Sequence, residues 1–188
     1  MKKLFLKIVL VLLLSTNTYA ENLKFTKIID LDKPWGSSFI SDNEIIVTEK
    51  SGKIKIINIK NGNITKVEHS LNFLETGQGG LLDIIYKDNY LWISYAENRG
   101  NSKTSTSVAR GKFNKKKIDF KNIFQANPPI NSGYHFGSRL AIKDNYIFAS
   151  VGERGQGMIA QDPSQHPGSI IRLHLDGSIP KDNPKFEG

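Results

Sequence analysis

Three stretches of this chain repeat one pattern. A glycine leads into a short apolar strand, an Asp-Asn turn follows, and a second apolar strand comes after it. The copies run from Gly36 to Glu49, from Gly80 to Tyr95 and from Gly137 to Gly152, with turns at Asp42-Asn43, Asp88-Asn89 and Asp144-Asn145. The turns stand 46 and then 56 residues apart. A unit of roughly 50 residues holding several strands marks a propeller blade, a four-stranded antiparallel sheet. One such sheet cannot cover both of its own faces. Blades therefore pack face to face around an axis, and the first strand of each lines the central channel.

The chain between the repeats agrees with an all-β fold. β-branched and apolar runs occur at Ile45–Thr48, Ile54–Ile57, Leu81–Tyr86, Leu91–Tyr95, Ile147–Val151 and Ile170–Leu175. Turn-formers such as Ser51-Gly52, Asn61-Gly62-Asn63 and Asp176-Gly177 separate them, the punctuation expected of short strands. No run of ten residues after Ala20 has helical periodicity. Residues 21–188 hold about three and a half repeats, whereas closed propellers have roughly four to eight blades. The expectation is the N-terminal part of a larger ring, about three blades of it.

The N-terminus reads as an export signal. Lys2, Lys3 and Lys7 precede the apolar run Ile8–Leu14, and Ala20 closes a short polar stretch. A basic start, a short apolar core and a small exit residue are the parts of a secretory signal, here residues 1–20. The run is shorter than the ~20 residues that span a bilayer; an uncleaved N-terminal anchor is the other reading. There is no cysteine, which excludes a lipid anchor on a thiol and leaves stability to packing, a bound ion or a larger assembly. The compartment expected is the periplasm, with no stable membrane anchor after cleavage. The net charge of +8 falls to +5 once the three signal lysines are set aside. The remaining lysines are scattered, apart from Lys115–Lys117, and no basic face with interleaved aromatics points to nucleic acid.

Chemistry is sought where the blades begin, because those strands face the channel. Thr76-Gly-Gln78-Gly-Gly-Leu-Leu-Asp83 sets a glutamine among three glycines. That lets the backbone approach a ligand closely, or merely makes a tight turn with a surface Gln78. Ser132-Gly-Tyr134-His135-Phe-Gly-Ser-Arg139 brings a histidine into the third blade. Its ordinary pKa suits a general base, though a structural or surface histidine is the commoner case. Glu153 follows the next strand of the same blade, where a hairpin brings a carboxylate against the imidazole as in other His–acid pairs. The bland alternative is a solvated loop acid. His166 is a minor candidate, and His69 and His174 are discounted as strand residues. Asp162, Asp176 and Asp182 are too scattered for a calcium loop.

At these residues the chain resembles the soluble quinoprotein sugar dehydrogenases, the glucose/sorbosone dehydrogenase family, and within it the bacterial aldose sugar dehydrogenases. The matching pieces are Pro34-Trp35-Gly36, Gly77–Asp83, His135-Phe-Gly-x-Arg139-Leu140, Gly152-Glu153, Ala160-Gln-Asp162, Gly168–Leu173 and Gly177-x-Ile-Pro-x-Asp-Asn-Pro184. They occur in the family's order from about Leu31 onward. The resemblance implies a six-bladed propeller that binds pyrroloquinoline quinone (PQQ) with Ca2+ and oxidises an aldose at its C1 hydroxyl to the lactone. His135 falls on the base that takes the hydroxyl proton while hydride passes to the quinone. Glu153 falls on the supporting carboxylate. Gln78, with Arg139, falls on the cofactor side, and the electrons leave to an external acceptor. Tyr134 stands where relatives carry a small polar or acidic residue that shapes the sugar site. The family's calcium loop and its later cationic quinone contacts belong to a second half. A truncated, inactive or binding-only propeller piece is the alternative to an enzyme.

Overall fold

The computed structural model describes residues 23–185; the signal reading of residues 1–20 lies outside them. Twelve strands form three sheets among these residues. The first holds β1 (Pro34–Ser41), β2 (Glu44–Glu49), β3 (Lys53–Asn58) and β4 (Ile64–His69), antiparallel and in sequence order. The second begins with β5 (Leu81–Lys87), β6 (Tyr90–Asn98) and β7 (Thr104–Lys112). The two-residue β8 (Lys117–Ile118) then leaves to pair parallel with β4, and β9 (Lys121–Gln125) returns to complete the second sheet. The third consists of β10 (Gly137–Lys143), β11 (Tyr146–Val151) and β12 (Ile170–His174).

The repeated sequence pattern becomes a repeated hairpin. The closing pairs are Ser41 with Glu44, Lys87 with Tyr90 and Lys143 with Tyr146, so each Asp-Asn dipeptide is a two-residue loop. Asp88 and Asn89 both take positive φ, 48° and 64°, as a type I′ turn requires and as Asp and Asn tolerate. Each hairpin also breaks register where its first strand enters, at Pro34–Ser37, Leu81–Ile84 and Gly137–Leu140. Such irregularities re-aim side chains at a sheet rim, and this rim is where the candidate residues stand.

The sheets stack face to face with β1, β5 and β10 side by side along one edge. Strand β6 shows why. Its residues alternate, and side chains two apart share a face. Leu91, Ile93 and Tyr95 join Ile46, Ile54, Ile56, Leu81, Ile84 and Ile118 in one core between the first two sheets. Trp92 joins Val108, Leu140, Ile147, Ala149 and Leu173 in a second core between the last two. Each fully buried Leu or Ile contributes about 1.5–3 kcal/mol relative to exposure, so the stack is held chiefly by these cores.

Hydroxyls pin the stack at its inner edge. Thr48 Oγ1 donates to the Leu82 carbonyl at 2.5 Å, and Ser94 Oγ donates to the Ser138 carbonyl at 2.6 Å. The two residues occupy the same place in successive repeats, six positions past the turn aspartate. Each therefore ties its own sheet to the first strand of the next.

The structure is a β-propeller segment of three blades. It departs from a uniform four-strand expectation on both sides. β8 gives the first blade a fifth strand, and the third blade has three strands among the described residues. The one helical element among the described residues is a 3-10 turn at Gly157–Gln161.

Candidate active site

His135 lies two residues before β10, and Glu153 two residues after β11, its hairpin partner. The pairing of Gly137 with Val151 therefore brings their backbones together. A Cβ on Gly152 would collide with the His135 carbonyl, so only glycine permits the approach. His135 Nδ1 is hydrogen-bonded to Glu153 Oε1, which also accepts the Gly155 N–H at 3.0 Å. The hydrogen bond from His135 holds the Glu153 carboxyl below its usual range, helped by backbone N–H donors and opposed by partial burial. More than half of the His135 side chain remains exposed. Nδ1 is engaged by the carboxylate, and Nε2 is the ring nitrogen left to meet a ligand.

Gln78 reaches the same place from the second blade. Thr76 and Gly79 close a tight loop, and the Gln78 N–H donates to the Gly133 carbonyl at 2.7 Å. Gly77 sits at φ +52°, with the Gly133 backbone where a side chain would go. The Gln78 Oε1 accepts the His135 N–H at 2.9 Å. That fixes the amide, because its oxygen is used and its NH2 is the free end. Tyr134 is 62% exposed, with its ring edge-on to the His135 imidazole at 6.3 Å. Gln78, Tyr134, His135 and Glu153 thus form one cluster.

Arg139 stands apart from it. Among the described residues it makes no hydrogen bond to those four. It lies in the β10 entry irregularity, its side chain 67% exposed, 3.5 Å from Asp83 Oδ1 and 5.8 Å from the Trp35 ring centre. Asp83 ends the Gly77–Asp83 motif at the start of β5. Its carboxylate accepts the Leu140 N–H at 2.9 Å and so fixes the height of β10 against β5.

His166, the minor candidate, serves packing. Its Nδ1 accepts the Asn127 N–H at 2.9 Å, its ring abuts Phe124, and burial lowers its pKa. His69 likewise bonds the Gly52 carbonyl at 2.8 Å. Sequence reasoning missed Arg154, which is 2% exposed and lies directly beneath the His135 loop. The glycines on either side of Glu153-Arg154 signalled a tight turn, but no pattern in the sequence shows a side chain turning inward.

PQQ is a tricarboxylate and asks for cations and N–H donors. The free Gln78 amide NH2 and the exposed Arg139 guanidinium are groups of that kind. Calcium is a different case. No group of three or more His, Asp or Glu side chains able to hold a metal ion occurs among the described residues.

Three stacked, mainly antiparallel blades thus carry an exposed His–carboxylate pair at their inner rim. Residues 31–188 match the family model of the glucose / sorbosone dehydrogenases, and the chain belongs to that family. It is 32% identical over 164 residues to the aldose sugar dehydrogenase YliI of Escherichia coli, covering 82% of this chain and 44% of that protein. The crystal structure of the apo-form of the soluble E. coli aldose sugar dehydrogenase overlays with a TM-score of 0.77 over 82% of this chain and 47% of that one. Quinoprotein glucose dehydrogenase B of Acinetobacter calcoaceticus is 28% identical over 85% of this chain and 40% of its own length. The PQQ-bound form of an aldose sugar dehydrogenase from Streptomyces coelicolor shares the fold, with a TM-score of 0.72 at 23% identity over 83% of this chain and 48% of that one. The chain thus spans less than half the length of these relatives.

Proposed function

We propose that this chain is the base-carrying part of a PQQ-dependent aldose dehydrogenase that oxidises a sugar at C1 to the lactone. The contact of His135 with Glu153 beside Gln78 carries this reading, since it gives an exposed imidazole a fixed tautomer and a fixed direction. The Glu153 carboxylate, ionised at neutral pH, accepts the Nδ1 proton and leaves Nε2 as the acceptor. Nε2 takes the C1 hydroxyl proton, and the resulting imidazolium is stabilised by the same carboxylate. Gln78 and Arg139 would hold the anionic quinone, and Tyr134 offers a flat face to the sugar. When bound, PQQ supplies the two-electron acceptor for the C1 hydride, and an external acceptor then removes the electrons.

The test supplies the purified protein with PQQ and Ca2+ and follows aldose-dependent dye reduction alongside quenching of tryptophan fluorescence by PQQ. His135→Gln is expected to keep the quenching and to lower turnover by about 10²–10⁴-fold. Turnover equal to the parent's in that variant would remove His135 from the mechanism. The second reading is a truncated, inactive or binding-only propeller piece; quenching or sugar binding without dye reduction would establish it.

Export belongs to the same reading. The Lys-rich start and apolar run support export to the periplasm with cleavage after Ala20. No helix among the described residues is long and apolar enough to cross a membrane. N-terminal sequencing of protein from a periplasmic extract reads the cleavage point directly, and an intact Met1 would refute it.

A further inference from the structure

Arg154 is buried as completely as the core isoleucines, and its acceptors are all neutral. Nε donates to the Tyr134 carbonyl at 3.0 Å, and Nη1 to the Thr104 carbonyl at 3.0 Å. Nη2 donates to Thr104 Oγ1 at 2.8 Å and to the Ser132 carbonyl. The guanidinium carbon lies 3.7 Å from the centre of the Phe136 ring. The Arg154 backbone N–H, in turn, donates to the His135 carbonyl at 3.3 Å. Among the described residues it forms no ion pair within salt-bridge distance. Burial pushes its pKa down to about 10, partly countered by the charge of Glu153, so the group stays cationic at neutral pH.

A buried cation without an ion-pair partner is an expensive arrangement for mere packing. Its contacts are unevenly placed. They fall on Ser132, Tyr134 and Phe136, on both sides of His135, and on Thr104 of the neighbouring blade. His135 and Arg154 both hold left-handed backbone, φ 48° and 59°, a conformation side-chain-bearing residues keep only when their surroundings enforce it. The planar fork of arginine can serve several carbonyls at once, which lysine cannot.

We propose that Arg154 is a positioning residue. Its guanidinium clamps the 132–136 loop against β7 and so holds the His135 imidazole on Glu153. This inference rests on the reading of His135 as the base. It concerns the geometry of the His135–Glu153 pair, which is measurable without turnover.

The test uses the full chain with ¹⁵N-labelled histidine. The Nδ1 proton of His135 is expected as a slowly exchanging low-field resonance, assigned by its loss in His135→Gln. In Arg154→Met, which keeps length and apolar contact but removes the donors, that resonance is expected to broaden beyond detection while the amide spectrum stays folded. Arg154→Lys, which keeps the charge and loses the fork, is expected not to restore it. Thr104→Val removes a single acceptor and is expected to speed exchange of the same proton. A folded Arg154→Met with an unchanged resonance would overturn the proposal, as would full recovery in Arg154→Lys or absence of the resonance from the parent protein. If Arg154→Met does not fold, Thr104→Val decides: faster exchange supports the clamp and unchanged exchange overturns it. Should His135→Gln instead leave turnover intact, the base assignment fails while the clamp stands on the resonance alone.

Discussion

Glu153 links the chemistry of His135 to the stability of its loop. Its folded pKa lies below the ordinary carboxylate value because His135 and backbone N–H groups bind the charged form. A depressed carboxylate stabilises the fold fully above its unfolded pKa and loses that contribution as pH falls through the folded value. The stability difference between the parent and Glu153→Gln is therefore expected to be largest near neutrality and to shrink below the ordinary carboxylate range. Urea midpoints at neutral and acid pH measure it, and a difference independent of pH would sink the argument. Gly152→Ala drives a methyl into the His135 carbonyl, an overpacking of about 1–3 kcal/mol, read in the same experiment. The nearness of His135 and Glu153 was legible in the sequence because both flank one hairpin. Arg154 was not, since an arginine after a glutamate in a glycine-flanked loop reads as solvated.

Strands rich in apolar residues were legible, and β7 was not. Its residues Thr104 to Ser107 are buried yet all hydroxylated. Their hydroxyls are consumed locally: Ser105 donates to the Ala126 carbonyl, Thr106 to the Phe136 carbonyl and Ser107 to Glu97, at 2.6–2.7 Å. A search for apolar runs passes over such a strand. It reads a hydroxyl as a sign of solvent, whereas here it answers carbonyls inside the stack. The same device at the inner edge makes a prediction. Ser94→Ala leaves the Ser138 carbonyl and the Asp83 N–H without their partner. Orphaning a buried polar group costs about 1–3 kcal/mol, so chemical denaturation is expected to show a loss of that size. A loss below a few tenths would mean that the sheets meet through apolar contact alone.

At the scale of the molecule, the repeat foretold the number of blades but not their inequality. The second blade has a neighbour on each face, and β6 is buried along nearly its whole length. The outer faces of the first and third blades keep Phe39 and Ile170 largely exposed. Protection from hydrogen exchange follows burial and local cooperativity. The amides of β6 are expected to exchange slowest and those of β10–β12 fastest, as read by exchange mass spectrometry; equal protection across the blades would contradict it. The spacing of turns could not reveal β8, because a two-residue strand has no period to detect.

β8 has a mechanical consequence. By pairing with β4 it staples a loop of the second blade to the outer edge of the first, and the third blade has no such staple among the described residues. Under tension between Pro34 and His174, β12 and β11 would peel away first, unzipping pair by pair from the pulled end. The first two blades would then give way in one larger extension. A chain in which β8 had been cut out would lengthen in three smaller steps.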